Sequence, residues 1–244
     1  MPRFYLDLPL ACGAQIELPE NAARHVQVLR LQPGDAITLF NGQGGEYAAT
    51  VTRMGKRVVE VEVGEFCEVS GESPLVLTLV QAVSASERMD YTVQKAAELG
   101  VTRIQPVISE YCQQRYSGER AEKRLEHWRG VAIAACEQCE RTAVPEILPI
   151  VKFDDYLASV RGGLNEPALR VLLSPINGQR LADLPETVAS AVALIGPEGG
   201  FSDREEAAAI AAGFTPLLLG PRIFRTETVA PVIAALLQAR YGDF

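Results

Sequence analysis

The sequence predicts an α/β fold, a parallel-sheet domain preceded by a small N-terminal β-barrel. Three observations carry this. From Arg3 to about Glu68 the residues alternate over short stretches broken by turn signals; later, apolar runs rich in Leu, Val and Ile alternate with helical stretches; and two of the last such runs end in glycine turns that lead into helices. Strands of the second kind are buried on both faces, as in a parallel sheet covered by crossover helices.

In the first segment the expected strands are Arg3–Asp7, Ala36–Phe40, Glu46–Thr52 and Arg57–Glu65, with Pro33-Gly34-Asp35 and Asn41-Gly42-Gln43-Gly44-Gly45 as turns. A helix from Asn21 to Leu31 interrupts them, placing Val26, Leu29 and Arg30 within one helical turn of each other. Ser70-Gly71-Glu72-Ser73-Pro74 reads as the linker and divides the chain into domains at 1–72 and 73–244. The second domain should carry strands at Leu75–Val83, Arg103–Ile108, Leu169–Ser174, Val188–Ile195 and Pro216–Leu219. Its helices are expected at Glu87–Leu99, Glu119–Arg141, Asp154–Arg161, Asp203–Ala212 and Val229–Arg240. There is no internal repeat and no low-complexity segment.

A chain of 244 residues, 48% apolar and 22% charged, can bury one large core or two modest ones and lacks the bias of disordered sequences. It has neither a secretory signal pattern nor an apolar run near the ~20 residues needed to cross a bilayer, so a cytoplasmic protein is expected. Five scattered cysteines are a poor disulfide framework. Cys136 and Cys139 form a C-x-x-C pair, but no second pair exists and His25 and His127 lie outside ligand spacing, so structural cysteines on a helix are expected and no metal.

The net charge of −8 argues against nucleic acid as a first guess, although only the contacting face must be basic. Arg24 and Arg30 form one local cluster; Arg115, Arg120, Lys123, Arg124 and Arg129 form another, read equally well as a solvated helix face salted with Glu119, Glu122 and Glu126.

Open α/β sheets bind ligands where strands end at their C-terminal edge. One such junction is Ile195-Gly196-Pro197-Glu198-Gly199-Gly200-Phe201-Ser202, in which glycines let a ligand approach backbone and Ser202 with Glu205 fits a capping box. The other is Leu219-Gly220-Pro221-Arg222-Ile223-Phe224-Arg225-Thr226-Glu227-Thr228. Pro231 must fall in a first helical turn to be harmless, which favours Thr228 over Thr226 as N-cap and leaves Arg222 and Arg225 on a loop. Neither junction is a dinucleotide fingerprint or a P-loop, which disfavours dehydrogenases and NTPases. Gly-Pro turns also join strands to helices with no function attached, so each motif alone is ambiguous.

Taken in order, these segments resemble the ribosomal RNA small subunit methyltransferase E family of the SPOUT superfamily. The likeness spans the chain: Arg3-Phe4-Tyr5, His25 to Leu31, Gln94 to Val101, Glu137 to Arg141, Ile195 to Phe201 and Leu219 to Thr228. The family's last motif more often reads Ile-Leu-Arg-Thr-Glu-Thr-Ala; here Phe224 and Val229 replace Leu and Ala, and Pro231 follows. The resemblance implies a PUA-like RNA-binding barrel, a SPOUT-type trefoil-knotted domain, a homodimer, S-adenosyl-L-methionine as cofactor, and methylation of uridine N3 in the decoding region of small-subunit (16S) ribosomal RNA. Only the resemblance argues for a knot, which chains otherwise avoid.

By the same analogy the cofactor lies against Leu173-Ser174-Pro175, Gly196, Pro197, Gly199 and Gly200, and Leu219, Gly220, Ile223, Phe224 and Arg225. The RNA is expected at Arg3, Arg24, His25 and Arg30, with a packed helix residue as the alternative for His25. Attack by N3 needs loss of its proton and stabilisation of charge on the flanking carbonyls. Arg225 is the first candidate for that donor and Arg141 the second; Glu198 or Glu227 accepts the proton unless each is engaged in capping or a salt bridge. Two rivals remain, a SPOUT methyltransferase acting on another RNA and a non-catalytic RNA-binding assembly factor.

Overall fold

Alternation along one strand settles which face of the N-terminal sheet is core: Val59, Val61 and Val63 are fully buried while Glu60 and Glu62 between them are not. The chain is described from a computed structural model, which covers residues 1–56, 58–69, 71–161, 169–174 and 178–244. Arg57, the linker residue Ser70 and Pro175 of the expected cofactor loop therefore lie outside the described residues.

The first unit comprises Met1–Glu72 together with Ile133–Val144. Its elements are β1 (Arg3–Tyr5), β2 (Gln15–Glu17), α1 (Glu20–Val28), β3 (Ala36–Phe40), β4 (Glu46–Met54) and β5 (Val59–Cys67). They form one five-stranded sheet in the order β1-β3-β4-β5-β2, antiparallel except for the parallel pair β1 and β3. No ladder joins the edge strands β1 and β2 among the described residues. Ala22, Ala23 and Val26 of α1 share a core with Phe4, Leu39, Val51 and Val61. The sequence reading missed β2, whose three residues are too few to show alternation.

Helix α1 stops before the expected Leu31, because Arg30 adopts a left-handed conformation (φ 57°). Its N–H donates to the Gln27 carbonyl (3.0 Å) and that of Leu31 to the Val26 carbonyl (3.3 Å). This is the paired closure of a Schellman motif, with arginine where glycine or asparagine is usual.

The second unit comprises Ser73–Ala132 and Pro145–Phe244. It contains β6 (Val76–Ala82), α2 (Ser86–Glu98), β7 (Arg103–Ile108), α3 (Glu119–Cys139), β8 (Glu146–Ile147), β9 (Val151–Lys152), α4 (Phe153–Arg161), β10 (Leu169–Leu173), β11 (Ser190–Ile195), α5 (Asp203–Ala211), β12 (Thr215–Leu217) and α6 (Thr226–Tyr241). The last residues of α3 already belong to the first unit. Every strand pair is parallel, in the order β12-β10-β11-β6-β7-β8, with β9 also on β7. The chain thus builds outward from β6 in one direction and then returns to fill the other side.

This order brings the site together. β10, β11 and β12 are separated in sequence but form one contiguous run, β12-β10-β11, in the parallel sheet, so their C-terminal ends lie together on one edge.

Candidate active site

A cleft of about 640 Å³ opens at that edge. Leu173 at the end of β10 and Ser174 after it, Gly196, Pro197, Gly199 and Gly200 after β11, and Leu219, Gly220, Ile223, Phe224 and Arg225 after β12 all line it. The described residues assigned by analogy to cofactor binding thus meet in one cleft. Sequence reading missed Arg88, Phe201, Asp203, Glu206, Leu217 and Leu218, which also line it.

Each loop has its own restraint. In the β11 loop the Gly200 N–H donates to the Pro197 carbonyl (2.9 Å), closing a turn in which Gly200 has φ 72°. Glycine reaches that conformation without strain, whereas most side chains do not. Ser202 caps α5 as expected: Glu205 N–H donates to its hydroxyl (3.4 Å) and Ser202 N–H to the Glu205 carboxylate (3.1 Å). The root of the β12 loop is pinned by a close crossing. A Cβ on Gly178 would lie 2.8 Å from the Leu217 carbonyl carbon, and Leu218 N–H donates to the Gln179 carbonyl (3.0 Å).

The far end of the β12 loop departs from expectation. Helix α6 begins at Thr226, not after Thr228, and Arg225 occupies the N-cap position with extended backbone (φ −68°, ψ 150°). Pro231 therefore lies in the second turn. Tertiary bonds outweighed its local preference: the buried Thr226 hydroxyl donates to the Gly196 carbonyl (2.7 Å) and accepts from Gln81 Nε2 (3.0 Å). Gln81 is fully buried in β6, and a lone Gln inside an apolar strand is a legible signal, since a buried amide requires partners.

Charge is unevenly placed around the cleft. Arg88 of α2 donates to Glu198 (2.8 Å) and stands 3.6 Å from Glu227. Glu198 also accepts from the Ala85 N–H (2.9 Å). Burial pushes the Glu198 carboxyl upward, but the N–H groups of Ala85 and Glu198 itself, with Arg88, outweigh it and hold the carboxyl below its ordinary value. Glu206 at the rim moves the other way, raised by burial and by Asp203. Arg225 is exposed, and its side chain has no hydrogen-bond or ion-pair partner among the described residues.

Arg88→Met should destabilise the protein by about 1 kcal/mol at neutral pH, a value kept small because the Arg88 side chain is 39% exposed. A depressed carboxyl pKa contributes stability above the unfolded pKa and loses it as pH falls through the folded value. The difference between variant and wild type should therefore shrink toward pH 3. Chemical denaturation at both pH values measures it, and a pH-independent difference would count against this role.

The candidates outside the cleft are placed differently. Arg141 belongs to the first unit, is 5% exposed, and its guanidinium donates to Glu72 (2.6 Å). Arg3, expected at the RNA, is 9% exposed; it pairs with Glu46 and donates to the carbonyls of Glu140 and Arg141 (both 3.3 Å). Arg3 is thus internal wiring of the first unit, a role invisible in sequence because its partners lie far along the chain. Arg24 and Arg30 are exposed. His25 is half exposed, packs edge-on against Phe4 and has Nδ1 3.7 Å from Glu137.

Comparison with known proteins agrees with this architecture. The family model for the RNA methyltransferase domain matches residues 71–238, and that for the RNA methyltransferase PUA domain matches residues 18–64. Fold and cleft thus define an RNA methyltransferase, a parallel-sheet α/β enzyme with a PUA-like domain of small antiparallel sheet. Ribosomal RNA small subunit methyltransferase E from Buchnera aphidicola is 33% identical over 244 residues, covering 100% of this chain and 98% of that protein. The Neisseria gonorrhoeae enzyme of the same name, solved bound to S-adenosyl methionine, is 41% identical with a TM-score of 0.91, covering 100% of this chain and 99% of the other. A putative methyltransferase from Legionella pneumophila, in complex with the same cofactor, is 40% identical with a TM-score of 0.94 over 99% and 98% of the two chains. The chain belongs to the ribosomal RNA small subunit methyltransferase E family.

Proposed function

We propose that this protein transfers a methyl group from S-adenosylmethionine to uridine N3 in the decoding region of 16S ribosomal RNA. The observation that carries the reading is the convergence of three loops on one cleft in a chain whose relatives are solved with that cofactor. A volume of about 640 Å³ suits a ligand of this size. The lining suits it too: Leu173, Leu219, Ile223 and Phe224 offer apolar contact for a purine, and Glu198, Asp203, Glu206 and Glu227 suit a ligand carrying ammonium and sulfonium charge.

The bound cofactor supplies the electrophilic methyl. The chain's own part is to orient the reactants, which accounts for most of the gain in such a transfer. Arg225, exposed and without a side-chain partner among the described residues at the N-cap of α6, is assigned to the uridine carbonyl that gains charge as N3 loses its proton to solvent water. Arg141 is bound to Glu72 in the first unit and is a structural residue in this reading. Glu198, kept ionised by Arg88 and Ala85, is an anchor of the β11 loop and a weak base. Glu227 is its partner across Arg88.

The first unit contributes RNA affinity through Arg24, His25 and Arg30. The family likeness further supports a homodimer, a knotted second unit and a cytoplasmic location; among the described residues no helix is long and apolar enough to cross a membrane. Mapping methylated uridines by mass spectrometry in 16S RNA from cells lacking the protein tests the reading. One methylated uridine should disappear and return on complementation; an unchanged map would reject it.

A further inference from the structure

Among the exposed aromatic side chains, Tyr111 differs from the rest in what lies beneath it. A Cβ built on Gly199 would fall 2.9 Å from Tyr111 Cβ and 3.5 Å from its Cγ, so the tyrosine sits directly on a glycine that lines the cleft. The side is otherwise open: Tyr111 is 47% exposed, its hydroxyl has no hydrogen-bond partner, and its ring has no aromatic neighbour among the described residues.

Its backbone is held firmly. On one side Glu110 N–H donates to the carboxylate of Glu205 (2.8 Å), a residue 1% exposed that the α5 capping box already fixes. Ser202 Oγ donates in turn to the Glu110 carboxylate (2.8 Å). On the other side Cys112 is buried and its N–H donates to the Ser109 carbonyl (3.3 Å). Arg115, exposed, reaches back to the Glu110 carbonyl (3.4 Å) and sets a cation beside the tyrosine. An exposed aromatic ring on a rigid stem, packed on a glycine that lines the cleft and with an arginine bonded to the preceding residue, is suited to hold an unstacked nucleobase.

We propose that Tyr111 is a stacking platform for a base of the substrate RNA, either the target uridine or its neighbour, held at the mouth of the cleft with Arg115 near the backbone phosphate. The proposal rests on the methyltransferase reading above. It assigns Tyr111 a part in RNA recognition and none in cofactor binding or proton transfer.

The test uses the full chain with saturating S-adenosylmethionine and small ribosomal subunits that lack the modification. Wild type, Y111F, Y111W, Y111L and Y111A are compared for kcat/KM toward RNA and, separately, for cofactor Kd by calorimetry. Stacking needs a flat ring and no hydroxyl, so Y111F and Y111W should stay within about two-fold of wild type. Y111L and Y111A should lose about ten-fold in kcat/KM at unchanged cofactor Kd, within the range of base–aromatic stacking. Leucine covers Gly199 as well as an aromatic ring does; wild-type kcat/KM in Y111L would therefore overturn the proposal, as would a loss that appears wholly in cofactor Kd. An inactive wild-type chain would instead remove the reading beneath the proposal, and the proposal with it.

Discussion

Arg225→Ala should lower the single-turnover rate of methylation by about 10²–10³-fold, or roughly 2.7–4 kcal/mol of barrier, the magnitude of one lost oxyanion donor. The expectation follows from its position. Arg225 lies on the cleft wall at the N-cap of α6, and no carboxylate claims its side chain among the described residues. Arg88 nearby is engaged with Glu198 and Glu227, and Arg3 and Arg141 with Glu46 and Glu72. A group that acts on charge developing in the transition state affects turnover far more than ground-state affinity. Arg225→Lys should recover little if a planar fork spans a carbonyl and its neighbour. Single-turnover kinetics beside separate affinities for cofactor and RNA decide the matter. A defect confined to cofactor affinity would make Arg225 a binding residue.

Gly199→Val should abolish measurable binding of S-adenosylmethionine, a loss of about 100-fold or more, while circular dichroism still reports a folded chain. A Cβ there meets Tyr111 at 2.9 Å, closer than real contacts allow, and valine adds two methyl groups beyond it. The β11 loop cannot retreat freely, because Glu198 is tied to Ala85 and Arg88, and Gly196 to Thr226. The contrast is Gly220, whose missing Cβ would meet nothing within 4 Å among the described residues but which has φ 75°. Substitution there is limited by backbone strain, so Gly220→Asn should bind nearly normally and Gly220→Val poorly. Unchanged calorimetric affinity in Gly199→Val would refute the account.

The sequence showed the parallel second unit clearly, because Leu, Val and Ile runs buried on both faces announce themselves without regard to partner. The cleft residues on the β11 and β12 loops were legible for a related reason: glycines at strand ends leave a local mark. What escaped was whatever depended on distant partners. Thr228 looked the better N-cap until Thr226 met Gly196, thirty positions away in the chain. Arg88 carried no local sign of reaching Glu198 and Glu227. Helix α3 continues from the second unit into the first without interruption, so a division at 72/73 had nothing to show that Ile133–Val144 belongs with Met1–Glu72.

The engagement of Arg3 and Arg141 with Glu46 and Glu72 bears on how RNA is met in solution. Buried, paired guanidinium groups condense no phosphate and release no counterions, so they add nothing to the ionic-strength dependence of association. With a net charge of −8, the protein offers an approaching polyanion little long-range attraction. Encounter then depends on a few exposed cations such as Arg24, Arg30 and Arg115, and the slope of log affinity against log salt should be shallow for an RNA-binding protein of this size. Selectivity in such a case falls to shape and base contact, which salt does not screen.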